Sequence, residues 1–241
     1  RNFCYNNLMT EVNSLSIAAH ELKAPLSLIR QLTFSLDFAS STSEQEKIKS
    51  EIVDVSERGL RIVNDLTKVA RLEDGLFELE PVSIRNVCSE VEKELKYLYR
   101  FDQKVLETKF SNRSRLVVAN RELLFSVLYN FGFNALRYSD DNSKSFLKVK
   151  DEKGRVKVEI RDFGPSLPKK IYEKLKTNSL ETPTDVSLRP DSSGLGLFIA
   201  TKFARFMNAD VGAIRHRNGT SFFVSLPISA QATFFNEKGV F

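Results

Sequence analysis

Two groups of residues, more than a hundred positions apart, have the types and spacing that chemistry needs. The first is His20-Glu21-Leu22-Lys23-Ala24-Pro25-Leu26, which holds one of only two histidines, a carboxylate directly beside it and a proline five residues on. A lone histidine is usually a satisfied or solvated residue. The second group gives this one a role: Asn130-x3-Asn134, Asp162-x-Gly164 and Gly194-x-Gly196 follow in order. Together they read as a nucleotide site, which makes the His20 stretch the destination of its phosphate.

Asn130 and Asn134 are four apart and share one helix face. A carboxamide can offer oxygen to Mg2+ without charge repulsion against phosphates. Arg137 and Tyr138 follow one turn on and place a cation and a phenol donor near the same phosphates. Asp162-Phe163-Gly164-Pro165 ends an expected strand, where a buried carboxylate can accept from an exocyclic amino group and so read adenine. Gly164 lets backbone approach the base; on local evidence alone this is equally a plain strand-to-turn Asp-x-Gly. Ser192-Ser193-Gly194-Leu195-Gly196-Leu197 opens a helix, and amides at a helix N-terminus cradle phosphate. No Walker loop occurs, and the Gly-x-Gly does not follow a first strand as a Rossmann fingerprint does. The Thr-, Ser-, Pro- and Asp-rich loop before it, 177–191, is long enough to act as a lid.

These residues need elements to hold them. Apolar residues from Asn2 to about Asp37 recur at helical spacing, with Pro25 expected to kink the helix. Ser43 and Glu46 read as a capping box for a second helix that runs to about Asp74-Gly75. Each helix is roughly 30 residues or about 45 Å long, and the pair forms an antiparallel hairpin. A hairpin alone cannot cover both apolar stripes, so pairing with a second copy into a four-helix bundle is the simplest solution. The period then changes. Strands are expected at 76–79, 105–110, 116–118, 146–150, 155–161, 210–215 and 221–226. Helices are expected after Ser83, over 121–138, after Pro168 and over 194–207. Strands interleaved with helices predict an α+β sandwich: one mixed sheet with helices on one face. The expected boundaries are 1–74 for the hairpin, 75–229 for the nucleotide domain and 230–241 for a Phe-rich tail.

With 241 residues, 41% hydrophobic and 28% charged, the composition is that of an ordinary globular protein. The net charge of +5, without a basic block, does not argue for nucleic acid. No run approaches the ~18 apolar residues of a membrane span. The chain begins at Arg1 already in helical register, so we expect an upstream part beyond it, and any membrane attachment there. Cys4 and Cys88 lack metal or disulfide spacing, which suits reduced, cytoplasmic surroundings.

In order and spacing the motifs resemble those of sensor histidine kinases of two-component systems: a dimerisation and phosphotransfer hairpin followed by an ATP-binding domain of the GHKL family shared with gyrase, Hsp90 and MutL. His20–Leu26 resembles the His box, Asn130–Tyr138 the Asn box, Asp162-Phe163-Gly164 the first glycine box, and Ser193–Leu197 the second. Gly219-Thr220-Ser221-Phe222-Phe223 resembles the closing strand. The resemblance implies that His20 takes the γ-phosphoryl group of ATP, with Glu21 accepting or orienting its proton. It implies that Asn134 holds Mg2+, with Asn130, Arg137 and Tyr138 around the phosphates. Asp162 and Gly164 would meet adenine, and Gly194, Leu195, Gly196 and Leu197 would form the phosphate cradle. The partners implied are a second copy of the chain and the receiver domain of a response regulator.

The sequence departs from that pattern in places. Ala24 stands where the family usually carries Thr or Asn, four residues after the His; without that oxygen, weak phosphatase activity is expected. Ser166 and Ser192 replace glycines of the two glycine boxes, and Leu175 stands where a second lid Phe is usual. These changes keep a degenerate pseudokinase, a dimeric nucleotide- or regulator-binding scaffold, as the alternative. His216, between Arg215 and Arg217, reads as solvated surface.

Overall fold

The computed structural model describes residues 19, 21–110, 116–177 and 194–230. His20, Cys4, Ser192, Ser193, most of the 177–191 loop and the 231–241 tail lie outside the described residues. The chain divides into two compact units, Arg1–Arg71 with Thr182–Leu195 and Leu72–Glu181 with Gly196–Phe241.

In the first unit, residues 21–36 are helical (α1) and continue through Pro25 without interruption. Pro25 is buried, and a Cβ placed on Gly59 would lie 3.8 Å from its ring, so the two residues pack side by side. The second helix, α2, spans Thr42–Ala70. Its cap sits two residues earlier than expected: the Ser41 hydroxyl accepts from Glu44 N at 3.2 Å, and the Glu44 carboxylate accepts from Ser40 N at 2.9 Å. Both Ser41-x-x-Glu44 and Ser43-x-x-Glu46 satisfy the pattern; the earlier one adds two helical residues, with the Glu44 carboxylate reaching the amide just before the cap. The helix also ends sooner. Arg71 caps it, and Leu72–Asp74 tighten into a 3-10 turn before Gly75 takes φ +69°. Leu26, Phe34, Phe38, Val53 and Leu60 remain more than half exposed.

The second unit is an α+β layer structure. Its five-stranded mixed sheet has the order β2-β4-β5-β7-β6, from Val105–Lys109 (β2), Lys144–Glu152 (β4), Arg155–Arg161 (β5), Asp210–His216 (β6) and Gly219–Pro227 (β7). Only β2 and β4 are parallel. The expectation of a single sheet needs correcting, because Glu80–Ser83 (β1) and Leu116–Ala119 (β3) form a separate antiparallel ribbon. The strand expected at 76–79 is irregular, and the pairing begins at Glu80. Pro81 hides that strand from a pattern reading, since proline argues against a ladder except at an edge.

Alternation along the large sheet sorts its two faces. Leu147, Val149, Val158, Ile160, Phe222 and Val224 are buried on one face, where α4 (Arg121–Tyr138) stacks Phe131 on Phe222 at 5.7 Å. The other face carries Lys148, Lys150, Lys157 and Arg161, and Lys157 lies 4.1 Å over the Phe223 ring. The layer is completed by α3 (Ile84–Phe101), α5 (Lys169–Lys176) and α6 (Leu195–Phe206), with Val91, Leu95, Ile171, Ile199 and Phe203 buried. Ser83 caps α3 as expected, its hydroxyl accepting from Asn86 N at 3.4 Å. Cys88 is fully buried in α3, and burial pushes its thiol up to about 12, so it is an inert core residue.

Candidate nucleotide site

Helix α4 carries four of the candidate residues, and Asn120 fixes its start. The Asn120 side chain accepts from Leu123 N at 3.1 Å and donates to Glu78 O at 3.1 Å. Most of α4 is apolar and buried, and the candidate residues lie among its less buried positions. Asn130 and Asn134 are half-buried, Tyr138 is half-buried and Arg137 is exposed. Asn130 Nδ2 donates to Ser126 O at 2.8 Å, which fixes the carboxamide and turns its oxygen away from its own helix. A Cβ on Gly196 would come within 2.7 Å of that Oδ1. The Asn motif and the second Gly-x-Gly thus meet at one place, where an added methyl would press on the Asn130 carboxamide.

The first glycine motif meets the C-terminal end of α4. A Cβ on Gly164 would lie 1.8 Å from Tyr138 O, so no side chain fits. Asp140 N donates to Phe163 O at 3.2 Å and closes the same junction. Asp162, just before it, is only 2% exposed. Its Oδ1 accepts from Thr220 N at 3.0 Å and Gly164 N at 3.3 Å. These are its described bonds, and both end on one oxygen. Burial raises the carboxyl to about 6, against the pull of those amides and of Arg161.

Two residues around Asp162 were legible only as part of a strand. Gly219, at φ +109°, lets the chain pass Asp162: a Cβ there would sit 2.2 Å from Asp162 O. Thr220 exchanges both backbone bonds, donating to Asp162 Oδ1 and accepting from Asp162 N at 2.9 Å, and its hydroxyl accepts from Leu167 N at 3.0 Å. The signal was the Gly219-Thr220 pair opening the last strand. Pairing with the acidic residue is a matter of sheet register, which spacing alone does not give.

Gly194 takes φ +72° ahead of α6. Leu195 and Leu197 bury their side chains, each 2% exposed, so their contribution to any ligand is backbone. Ser166 does more than stiffen a loop, since its hydroxyl donates to His216 O. His216 is half-buried and its Nε2 lies 2.9 Å from Ser221 Oγ, which corrects the expectation of a solvated side chain. Desolvation and the nearby Arg161 lower its pKa. Leu175 is a buried residue of α5. On α1, Glu21 is half-buried and Ala24 exposed.

The donor set decides what metal the site could take. Among the described residues no group of three His, Cys, Asp or Glu side chains could hold an ion. A metal here would have to arrive with phosphates and bind neutral carboxamide oxygen, which fits Mg2+ better than any all-protein cage. Among the described residues no helix is long and apolar enough to cross a membrane.

With this geometry in view, the chain can be set beside known proteins. Residues 119–230 match the family of histidine kinase-, DNA gyrase B-, and HSP90-like ATPases. The circadian input-output histidine kinase CikA of Synechococcus elongatus is 24% identical over 190 residues, 76% of this chain and 25% of that protein. The chain spans at most about a third of the curated relatives it matches first, from 16% to 35% of their lengths. The Acinetobacter baumannii histidine kinase AdeS has a TM-score of 0.61 at 18% identity, covering 87% of this chain and 98% of that structure. Histidine kinase ThkA in complex with the response regulator TrrA has a TM-score of 0.58 at 18% identity, covering 94% of this chain and 64% of that chain. The resemblance read from the motifs is borne out, and so is the α+β fold.

Proposed function

We propose, for a chain whose residues 119–230 match the histidine kinase-, DNA gyrase B-, and HSP90-like ATPases, that it is an ATP-dependent protein-histidine kinase. The observation that carries this is the convergence of both glycine motifs on α4, one at its middle and one at its C-terminal end. Asn130 meets Gly196, and Tyr138 meets Gly164 beside the buried Asp162. Domains 1–74, 75–229 and 230–241 act as phosphotransfer hairpin, ATP-binding domain and tail.

Asp162 accepts the adenine amino group through its second carboxylate oxygen. Gly164 and Gly219 keep backbone close to the base. Gly194, Leu195, Gly196 and Leu197 present amides to phosphate oxygens at the start of α6. Asn130, Arg137 and Tyr138 surround the phosphates, and Asn134 supplies the oxygen for Mg2+. When bound, Mg2+ neutralises phosphate charge, so that catalysis is mainly positioning and electrostatic. A neutral imidazole nitrogen of His20 attacks the γ-phosphorus and the bond to the β,γ-bridging oxygen breaks, releasing ADP. Glu21 holds or takes the proton of the other ring nitrogen. The phosphoryl group then passes to an aspartate of a response regulator's receiver domain, as the ThkA–TrrA complex of a similar protein suggests. The exposed Leu26, Phe34, Val53 and Leu60 support pairing of two hairpins into a four-helix bundle. The chain works in the cytoplasm, as the kinase reading implies.

Asn134→Ala tests the site. Calorimetry should show Mg-dependent tightening of ATP binding in the wild type and none in the variant, with the dimer intact by light scattering. Equal Mg dependence in both proteins would remove Asn134 from the metal role.

A further inference from the structure

The α3–β2 segment grips α4 from the side away from the candidate ligand residues. A Cβ on Gly132, between Asn130 and Asn134, would strike Leu95 Cδ1 at 2.2 Å, so the two helices approach to contact there. The buried Tyr99 hydroxyl donates to Gly132 O at 2.9 Å. Three residues past the end of α3, Lys104 is only 8% exposed, although lysine is almost never buried without partners. Its Nζ donates to Leu136 O at 3.0 Å and Ser139 O at 2.8 Å. Its own backbone is tied down, with Lys104 N donating to Tyr99 O at 2.7 Å.

Leu136 O is one of the carbonyls that α4 leaves without an intrahelical donor, since the helix ends two residues later and Ser139 N already serves Ala135 O. An ammonium at a helix C-terminus satisfies such carbonyls and opposes the negative end of the helix dipole. The turn it seizes carries Arg137 and Tyr138 and leads into Asp140, the residue bonded to Phe163. Lys104 therefore sits behind the junction where Tyr138 O fits against Gly164, next to Asp162.

We propose that Lys104 is a positioning residue for nucleotide binding: its buried ammonium sets the spacing between the end of α4 and the Asp162-x-Gly164 turn. It touches no ligand. This rests on the proposed ATP site and adds to it a residue that lies outside every motif in the sequence. A general core defect would lower stability alone; an angstrom-scale shift of this turn acts on affinity, because small misplacements in a site are felt strongly.

The test uses the full chain with Lys104→Met, which keeps the length and removes the donors, and Lys104→Gln, which keeps a neutral donor. ATP and ADP affinities are measured by calorimetry, alongside KM and kcat for autophosphorylation and the melting temperature. We expect KM and both dissociation constants to rise about tenfold in Lys104→Met, with an intermediate rise in Lys104→Gln and kcat within about twofold. Unchanged affinities with a lowered melting temperature would make Lys104 a plain core residue and overturn the proposal. If Lys104→Met does not fold, Lys104→Gln carries the test by the same KM criterion. A wild-type chain that binds no ATP would sink the proposed function and this inference together, whereas tight wild-type binding with unaltered variants would sink this inference alone.

Discussion

Replacing Asp162 by Asn should stabilise the fold and weaken the site at once. In the folded chain burial pushes the Asp162 carboxyl up to about 6, from an ordinary value of 3.8. A raised carboxyl means that the unfolded chain gives up its proton first. The group's contribution is then most favourable below pH 3.8 and declines until pH passes 6, the reverse of a salt-bridged aspartate. Holding the carboxylate ionised in the fold costs about 3 kcal/mol at neutral pH by this linkage. Asn keeps an oxygen for Thr220 N and Gly164 N and has nothing to ionise. The stability of Asp162→Asn relative to wild type should therefore rise by about 2.5 kcal/mol between pH 4 and pH 8, most of it between pH 4 and 6. Urea unfolding at several pH values reads this directly. The same change puts an NH2 where the adenine amino group needs an acceptor. ATP affinity at pH 8 should fall by about 2 kcal/mol, roughly thirtyfold. A stability difference flat across that pH range would refute the burial argument, and unchanged affinity would refute the adenine role.

Two further predictions bear on other parts of the account. Gly196→Ala drives a methyl to within 2.7 Å of Asn130 Oδ1, so ATP affinity should drop about tenfold while the melting temperature changes little; calorimetry showing wild-type affinity would dissolve the cradle. Ala24 lies exposed on α1 and offers no oxygen four residues after His20, so dephosphorylation of a phosphorylated regulator should be slow and Ala24→Thr should speed it severalfold. Fast dephosphorylation by the wild type, with no gain in the variant, would dismiss that reading.

Much of the architecture was legible because it rests on local rules. The α4 helix was bounded by Asn120 and Ser139 as its spacing suggested, and Ser83 announced α3. Where local rules offered two solutions, tertiary fit chose. Two overlapping Ser-x-x-Glu patterns competed to start α2, and Pro81 concealed the β1–β3 ribbon. The site divides in the same way. Asn130, Asp162, Gly164 and Gly196 could be named from type and spacing. Thr220 depends on which strand neighbours β5, and Lys104 depends on where α3 releases the chain. Such residues act through long-range contacts, for which the sequence has no period. His216 was misread for a more local reason: the turn between β6 and β7 brings Ser221 beside its ring, a pairing that depends on hairpin register.

The central claim is that the phosphoryl group of ATP is transferred to His20. The most direct measurement is autophosphorylation with γ-labelled Mg-ATP, comparing the wild-type chain with His20→Gln and treating the product with acid and with base. The account predicts label that is acid-labile, base-stable and missing from His20→Gln. Label of equal intensity in His20→Gln, or an acid-stable product, would contradict it.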